Sequence, residues 1–268
     1  MPFDIPNAES FGFQKDEDDG RLPDGLSNGI IGPTIALSID SKINYPWTDS
    51  IPKEIFVEYV TPYANVNEAR SNWRPYFHEN IVSILQPFLE NPISTREDVI
   101  HALDEQVWTI FSKDGAKPIF FKSGQTPLIY DPMSILAFGY ASCTGLSIFL
   151  VDILRTAGIP ARLAGTNAWN GNIENGNHSW IEFFGSDNEW HIMEARPASG
   201  GSGERKLTDP CQWWFCNSDK VQGTMFYAAR YDRCAVHNVP FPLAWDSENL
   251  GVVGEDRTEF MRALCSNC

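Results

Sequence analysis

The sequence has 268 residues, 43% of them hydrophobic and 13% aromatic, with 35 acidic against 20 basic side chains and a formal net charge of −15. That is ample material for one large or two small globular domains, and the negative balance argues against nucleic acid or an anionic membrane as partner. No run of about 18 apolar residues marks a membrane span. The opening M-P-F-D-I-P-N-A-E-S has neither the basic nor the apolar region of a signal peptide. Cysteines 143, 211, 216, 234, 265 and 268 are too few and too scattered for a disulfide scaffold at this length, and the compartment reading leans intracellular.

Residues 1–28 set Asp4, Glu9, Asp16, Glu17, Asp18, Asp19 and Asp24 against Lys15 and Arg21, which predicts a mobile acidic arm. A helical extension is expected over 29–93. Within it, Ile30, Ile31 and Ile35 to Ile39 suggest a short strand interrupted by Gly32-Pro33, while Glu54 to Val60 fits strand or helix equally. Asn67 to Glu90 has helical period, with Trp73, Phe77, Ile81, Ile84 and Leu85 on one stripe and a break expected before Pro75. Ser94-Thr95-Arg96-Glu97 has the form of a capping box, Ser94 at the N-cap and Glu97 three residues on. The helix it opens carries Val99, Ile100, Leu103, Val107, Ile110 and Phe111. Glycines and prolines make 112–134 a loop, with a strand at Ile119 to Phe121.

The stretch Ser142 to Ile159 places Leu146, Phe149, Leu150, Ile153 and Leu154 on one face of a buried helix, closed by Gly158 and Pro160. Either Ser142 or Thr144 can cap it, which puts Cys143 in the first turn, where free N–H groups and the helix dipole favour a thiolate. Ala161 to Thr166 is strand-like, Asn170 to Asn177 a turn cluster, and His178 to Phe184 an alternating strand. Gly185 to Asn188 connects it to a returning strand, Glu189 to Glu194. A glycine- and serine-rich loop comes next over 198–206, and the aromatic-rich segment 201–268 is expected to wrap the core. Helices first and strands later indicate an α+β fold.

His178 lies 35 residues after Cys143, and Glu194 a further 16. The hairpin sets Glu194 beside His178, and His178 faces the cysteine. This is the arrangement of a nucleophile, its base and a carboxylate that fixes the base's tautomer. The fallback carboxylates are Glu182 and Asp187. With S-C-T-G-L-S at 142–147, then L-R-T-A-G-I-P-A-R-L, N-H-S-W-I-E and W-H-I-M-E, residues 94–200 resemble the core domain of the transglutaminase-like superfamily. That resemblance implies a papain-like thiol fold with a nucleophile-bearing helix packed on an antiparallel sheet, Cys143 as nucleophile and His178 as general base and acid. Glu194 stands where the family usually has Asp. For the oxyanion site the resemblance suggests the Cys143 N–H with Gln125, or else Trp108. It implies a peptide or protein amide as substrate, attacked through an acyl-thioester. Hydrolysis is slightly favoured over transfer to an amine, and a catalytically silent binding module is the further alternative.

Taken singly, these residues also have ordinary readings: a core cysteine, a turn histidine, a solvated strand end. Trp169, Trp180 and Trp190 read as core or pocket wall, and Trp169 and Trp180 are the substrate-contact candidates. His191 reads as structural. The sequon Asn177-His178-Ser179 is discounted because a glycan would block the base. Cys211-x4-Cys216 and Cys265-x2-Cys268 are weak as zinc pairs, and disulfides are favoured over metal. No cofactor is implied, and oligomeric state is not legible.

Overall fold

A computed structural model describes residues 27–268 except 92, 113, 114, 116, 199–206 and 233. The expected acidic arm therefore lies outside the described residues but for its last two. The chain runs α1 (Gly32–Asn44), α2 (Lys53–Tyr59), α3 (Trp73–Leu89), α4 (Arg96–Ile110), β1 (Phe120–Phe121), α5 (Pro132–Phe138), β2 (Tyr140–Ala141) and α6 (Cys143–Thr156). Next come β3 (Ala161–Thr166), β4 (His178–Phe184), β5 (Trp190–Met193), α7 (Ser218–Val221), β6 (Tyr227–Ala229), β7 (Val239–Pro240), β8 (Val253–Asp256) and α8 (Thr258–Cys265). The fold is α+β. Its main sheet has the order β5-β4-β3-β6-β8-β7 with antiparallel pairing throughout, and β1 and β2 form a separate parallel pair.

Helix α6 sits at the centre. All of its residues except Cys143 are buried, between β3 and β4 on one side and α1, α3, α4 and α5 on the others. Its apolar side chains therefore have no solvent face, and each is worth roughly 1.5–3 kcal/mol relative to exposure. Phe149 anchors the helical layer, with ring centroids 5.1 Å from Phe77, 5.7 Å from Trp108 and 5.6 Å from Phe111. The helix ends at Gly158, whose φ of +73° suits glycine and whose missing Cβ would meet the Thr48 methyl at 2.8 Å. Buried cations clamp the neighbouring loop through its carbonyls. Arg74 donates to Arg155 O, Val60 O and Pro62 O, and Arg155 donates to Tyr59 O, Ala64 O and Ala161 O.

Several expectations need correction. Ile35 to Ile39 belongs to helix α1, not to a strand: Thr34, Ser38 and Ser41 face inward while Ile35, Ile39 and Ile43 are exposed. The stripe looking inward is small and polar, so the apolar pattern pointed the wrong way. Glu54 to Val60 resolves as helix α2. Helix α3 runs through Pro75, because a proline in the first turn has no intrahelical N–H bond to lose. The capping box is shifted by one residue: Thr95 is the N-cap, and it exchanges hydrogen bonds with Asp98 at 2.9 and 3.2 Å. Glu97 instead accepts from Ser186 N at 2.8 Å and ties α4 to the β4–β5 hairpin. The expected loop 112–134 contains the start of α5, capped by Asp131 with Pro132 at its first position. Most of the 198–206 loop lies outside the described residues. The C-terminal segment does more than wrap the core, since β6, β8 and β7 extend the sheet across the expected boundary at residue 200.

Gly145 shows how tightly the start of α6 is held. A Cβ there would lie 2.7 Å from Ala141 Cβ and 3.1 Å from Ile129 O. In an open helix Gly→Ala is stabilising; here overpacking of backbone reverses the sign. Gly145→Ala should lower stability by about 1–3 kcal/mol in urea denaturation. An unchanged or raised midpoint would show that the preceding loop yields freely.

Candidate active site

Local structure brings three separated residues to one point. Cys143 is the first residue of α6, with Ser142 at the N-cap position in extended conformation. Ser142 does not cap the helix with its side chain; its hydroxyl pairs with Thr126 Oγ1 at 2.5 Å. The first-turn N–H groups are thus left for the sulfur and for whatever binds beside it. His178 is the first residue of β4, opposite Thr166. Continuing the β4–β5 register sets Glu194 opposite Trp180, a diagonal neighbour of His178 on the same face of the sheet. His178 Nε2 and Glu194 Oε1 are 2.5 Å apart, and both residues are buried.

The other ring nitrogen is left for Cys143, which lines the same cleft and interacts with the imidazole. Burial opposes the charged thiolate. The hydrogen bond and charge of His178, joined by the backbone N–H groups of Ser179 and Thr144, nonetheless bring the thiol below its ordinary value. Burial likewise opposes imidazolium, but hydrogen bonds and negative charge from Cys143 and Glu194 hold His178 up at about 9. The two shifts point the same way: each group favours the charged form of the other.

The pair opens onto a cleft of about 460 Å³ lined by Phe121, Ser123, Gly124, Thr126, Ser142, Thr144, Gly176, Asn177, Ala244 and Trp245. Neither oxyanion candidate lines it. Gln125 turns its amide onto Ser123 O at 3.0 Å, and Trp108 is buried with its indole N–H on Asp104 at 3.1 Å. The substrate-contact candidates are likewise elsewhere: Trp180 is fully buried beneath Phe215, and Trp169 is buried beside His178. The aromatic walls of the cleft are Phe121 and Trp245. Of the fallback carboxylates, Glu182 is spent on Arg162 at 2.7 Å and Asp187 on His191 at 2.9 Å.

Sequence reasoning also passed over Trp214. Its Nε1 donates to Glu194 Oε1 at 3.0 Å, and its ring lies 4.9 Å from that of His178. The signal available was the W-W-F run at 213–215 enclosed by Cys211 and Cys216. Those cysteines form disulfides with Cys268 and Cys265 respectively, which removes the four thiols a zinc site would have needed. Cys143 and Cys234 are free. Among the described residues, Glu97, Asp187 and His191 come close enough to share an ion, at a corner of the hairpin built from different side chains than the cleft.

Reactivity should follow ionisation rather than exposure. Cys234 is exposed and Cys143 only partly so. Brief iodoacetamide treatment at mildly acidic pH, read by peptide mapping, should nevertheless label Cys143 first. With the thiol lowered and His178 at about 9, thiolate and imidazolium coexist from below the ordinary thiol range up to about 9. The rate of Cys143 alkylation should therefore rise with pH from below the ordinary thiol range as the thiol ionises.

Residues 92–195 match the family model described as the transglutaminase-like superfamily. No curated protein matches the sequence. Among solved structures, the periplasmic domain of TgpA from Pseudomonas aeruginosa bound to ethylmercury is similar at 18% identity with a TM-score of 0.31, over 46% of this chain and 44% of that one. The match thus spans less than half the length of that domain.

Proposed function

Because residues 92–195 are a transglutaminase-like superfamily domain, we propose that this chain is a thiol enzyme that attacks amide carbonyls of peptides or proteins, with water as the favoured acceptor. The observation that carries the reading is the Cys143–His178–Glu194 relay at the mouth of a cleft wide enough for a peptide segment. The Cys143 thiolate adds to the carbonyl carbon, and the oxyanion takes hydrogen bonds from the free N–H groups at the start of α6. His178 passes its proton to the leaving amine as the C–N bond breaks, giving an acyl-thioester. It then accepts a proton from water, which releases the acid and restores the thiolate. Glu194 keeps the imidazole oriented and stabilises its charged form.

Transfer of the acyl group to an amine shares the first half-reaction and is the alternative; added primary amine diverting product from acid to amide would identify it. A silent module with this fold is the further alternative, and the assembled relay speaks against it. The disulfides Cys211–Cys268 and Cys216–Cys265 support an oxidising compartment over the intracellular one suggested by the N-terminal sequence.

One acyl equivalent should be trapped on Cys143 by an activated ester or amide, and mass spectrometry locates it. Cys143→Ala and His178→Ala should abolish trapping. Glu194→Gln keeps the shape but not the charge, and should reduce turnover by about 100-fold or more, non-additively with the other two. Full activity in Glu194→Gln alongside a dead Cys143→Ala would leave a dyad. Glu194→Asp shortens the reach to a bond now 2.5 Å long and should also lose activity.

A further inference from the structure

The sheet has two faces at the active site, and α6 covers one of them. Ser179 faces α6, where its hydroxyl meets Thr144 Oγ1 at 3.1 Å. Alternation along the strand sends His178, Trp180 and Glu182 to the opposite face, together with Glu194. The family match ends at residue 195, and beside Trp169 the side bearing the histidine–carboxylate pair is closed by residues beyond that limit. Trp180 stacks on Phe215 at 4.6 Å, His178 lies 5.4 Å from Phe215, and the Trp214 ring covers His178.

Trp214 is itself 49% exposed, so burial alone does not hold it. Two covalent bonds bracket it instead. Cys211 and Cys216 tie its loop to Cys268 and Cys265 at the end of the chain around α8, where Met261 and Cys265 are fully buried. The Lys220 ammonium stands 4.9 Å above the indole. The carboxylate below depends on this placement. Glu194 Oε1 takes both the His178 and the Trp214 hydrogen bonds, while Oε2 has none among the described residues.

We propose that Trp214 is a positioning residue for the Cys143–His178–Glu194 site, held over it by a disulfide-stapled strap, Cys211 to Cys216. This deepens the thiol-enzyme reading and rests on it. The indole N–H fixes which oxygen of Glu194 meets His178, and the ring keeps water from the charge pair. Without them the carboxylate rotates, water screens the pair, and the imidazolium that stabilises the thiolate is held less firmly.

The test compares the wild type with Trp214→Phe, Trp214→Ala and the fourfold Cys→Ser variant at 211, 216, 265 and 268. Its readout is the rate of Cys143 carboxamidomethylation against pH. Urea denaturation monitors the fold. Trp214→Phe keeps a ring and removes the donor. Its rate at mildly acidic pH should fall about ten-fold, the acid limb should move toward the ordinary thiol range, and the rates should converge at alkaline pH where any thiol is ionised. Trp214→Ala and the Cys→Ser variant should fall further, with the same convergence. A protein that is only destabilised shifts its urea midpoint and not the acid limb. If the fourfold variant does not fold, Cys211→Ser with Cys268→Ser opens one staple and takes its place. A wild-type pH profile in Trp214→Phe, or in a folded strap variant, overturns the proposal. If wild-type Cys143 reacts no faster than Cys234, the thiol reading fails and the proposal with it; fast wild type with unchanged variants removes the strap alone.

Discussion

A helix with 13 of its 14 residues buried must be roofed on every side, and that constraint on α6 sets the arrangement of the rest. The sheet takes one side, and the amino-terminal helices take the others. Only the end carrying Cys143 reaches a cleft. Burial that excludes water along the helix also makes the polarity of its N-terminus count, because free N–H groups act more strongly where the dielectric is low. Cys143 is thus the point at which this buried helix meets the cleft.

The same economy of access governs the charges. Arg162 is fully enclosed, bonded to Glu182 on the neighbouring strand and to Glu255 two strands away, while Arg257 returns to Glu182. This network stitches the strands contributed after residue 200 onto those of the matched domain. A buried network of this kind contributes little net stability but is costly to break in part. It ties β8 and the segment after it to β4, whose first residue is His178. The sheet and the Cys143–His178–Glu194 cluster therefore share one frame, although the sequence that builds them comes from two regions.

Much of this was legible in the chain. Cys143, His178 and Glu194 are adjacent because a helix start, a strand start and a hairpin return are each marked by local patterns with a period of 3.6 or 2. What was not legible has particular causes. The α1 isoleucines misled because a helix can pack through serine and threonine when it must approach closely, leaving its larger side chains outside. Gln125 was expected beside the sulfur by resemblance, but the turn it occupies folds its amide back onto Ser123 O. Trp180 and Trp108 are aromatic for packing, which composition does not distinguish from a pocket wall. Cleft residues such as Trp245 come from segments more than 60 residues beyond the base, and no local periodicity reports such a meeting.

The strap has a consequence in time. Its staples join residues 57 and 49 positions apart, and their distal cysteines lie at the last residue of α8 and three residues past it. A chain made from its amino terminus completes the nucleophile, the base and the carboxylate well before it possesses α8. During that interval Trp214 lacks both staples, while Cys143, His178 and Glu194 are already present. Order of synthesis thereby leaves the stapled cover over His178 and Glu194 until last.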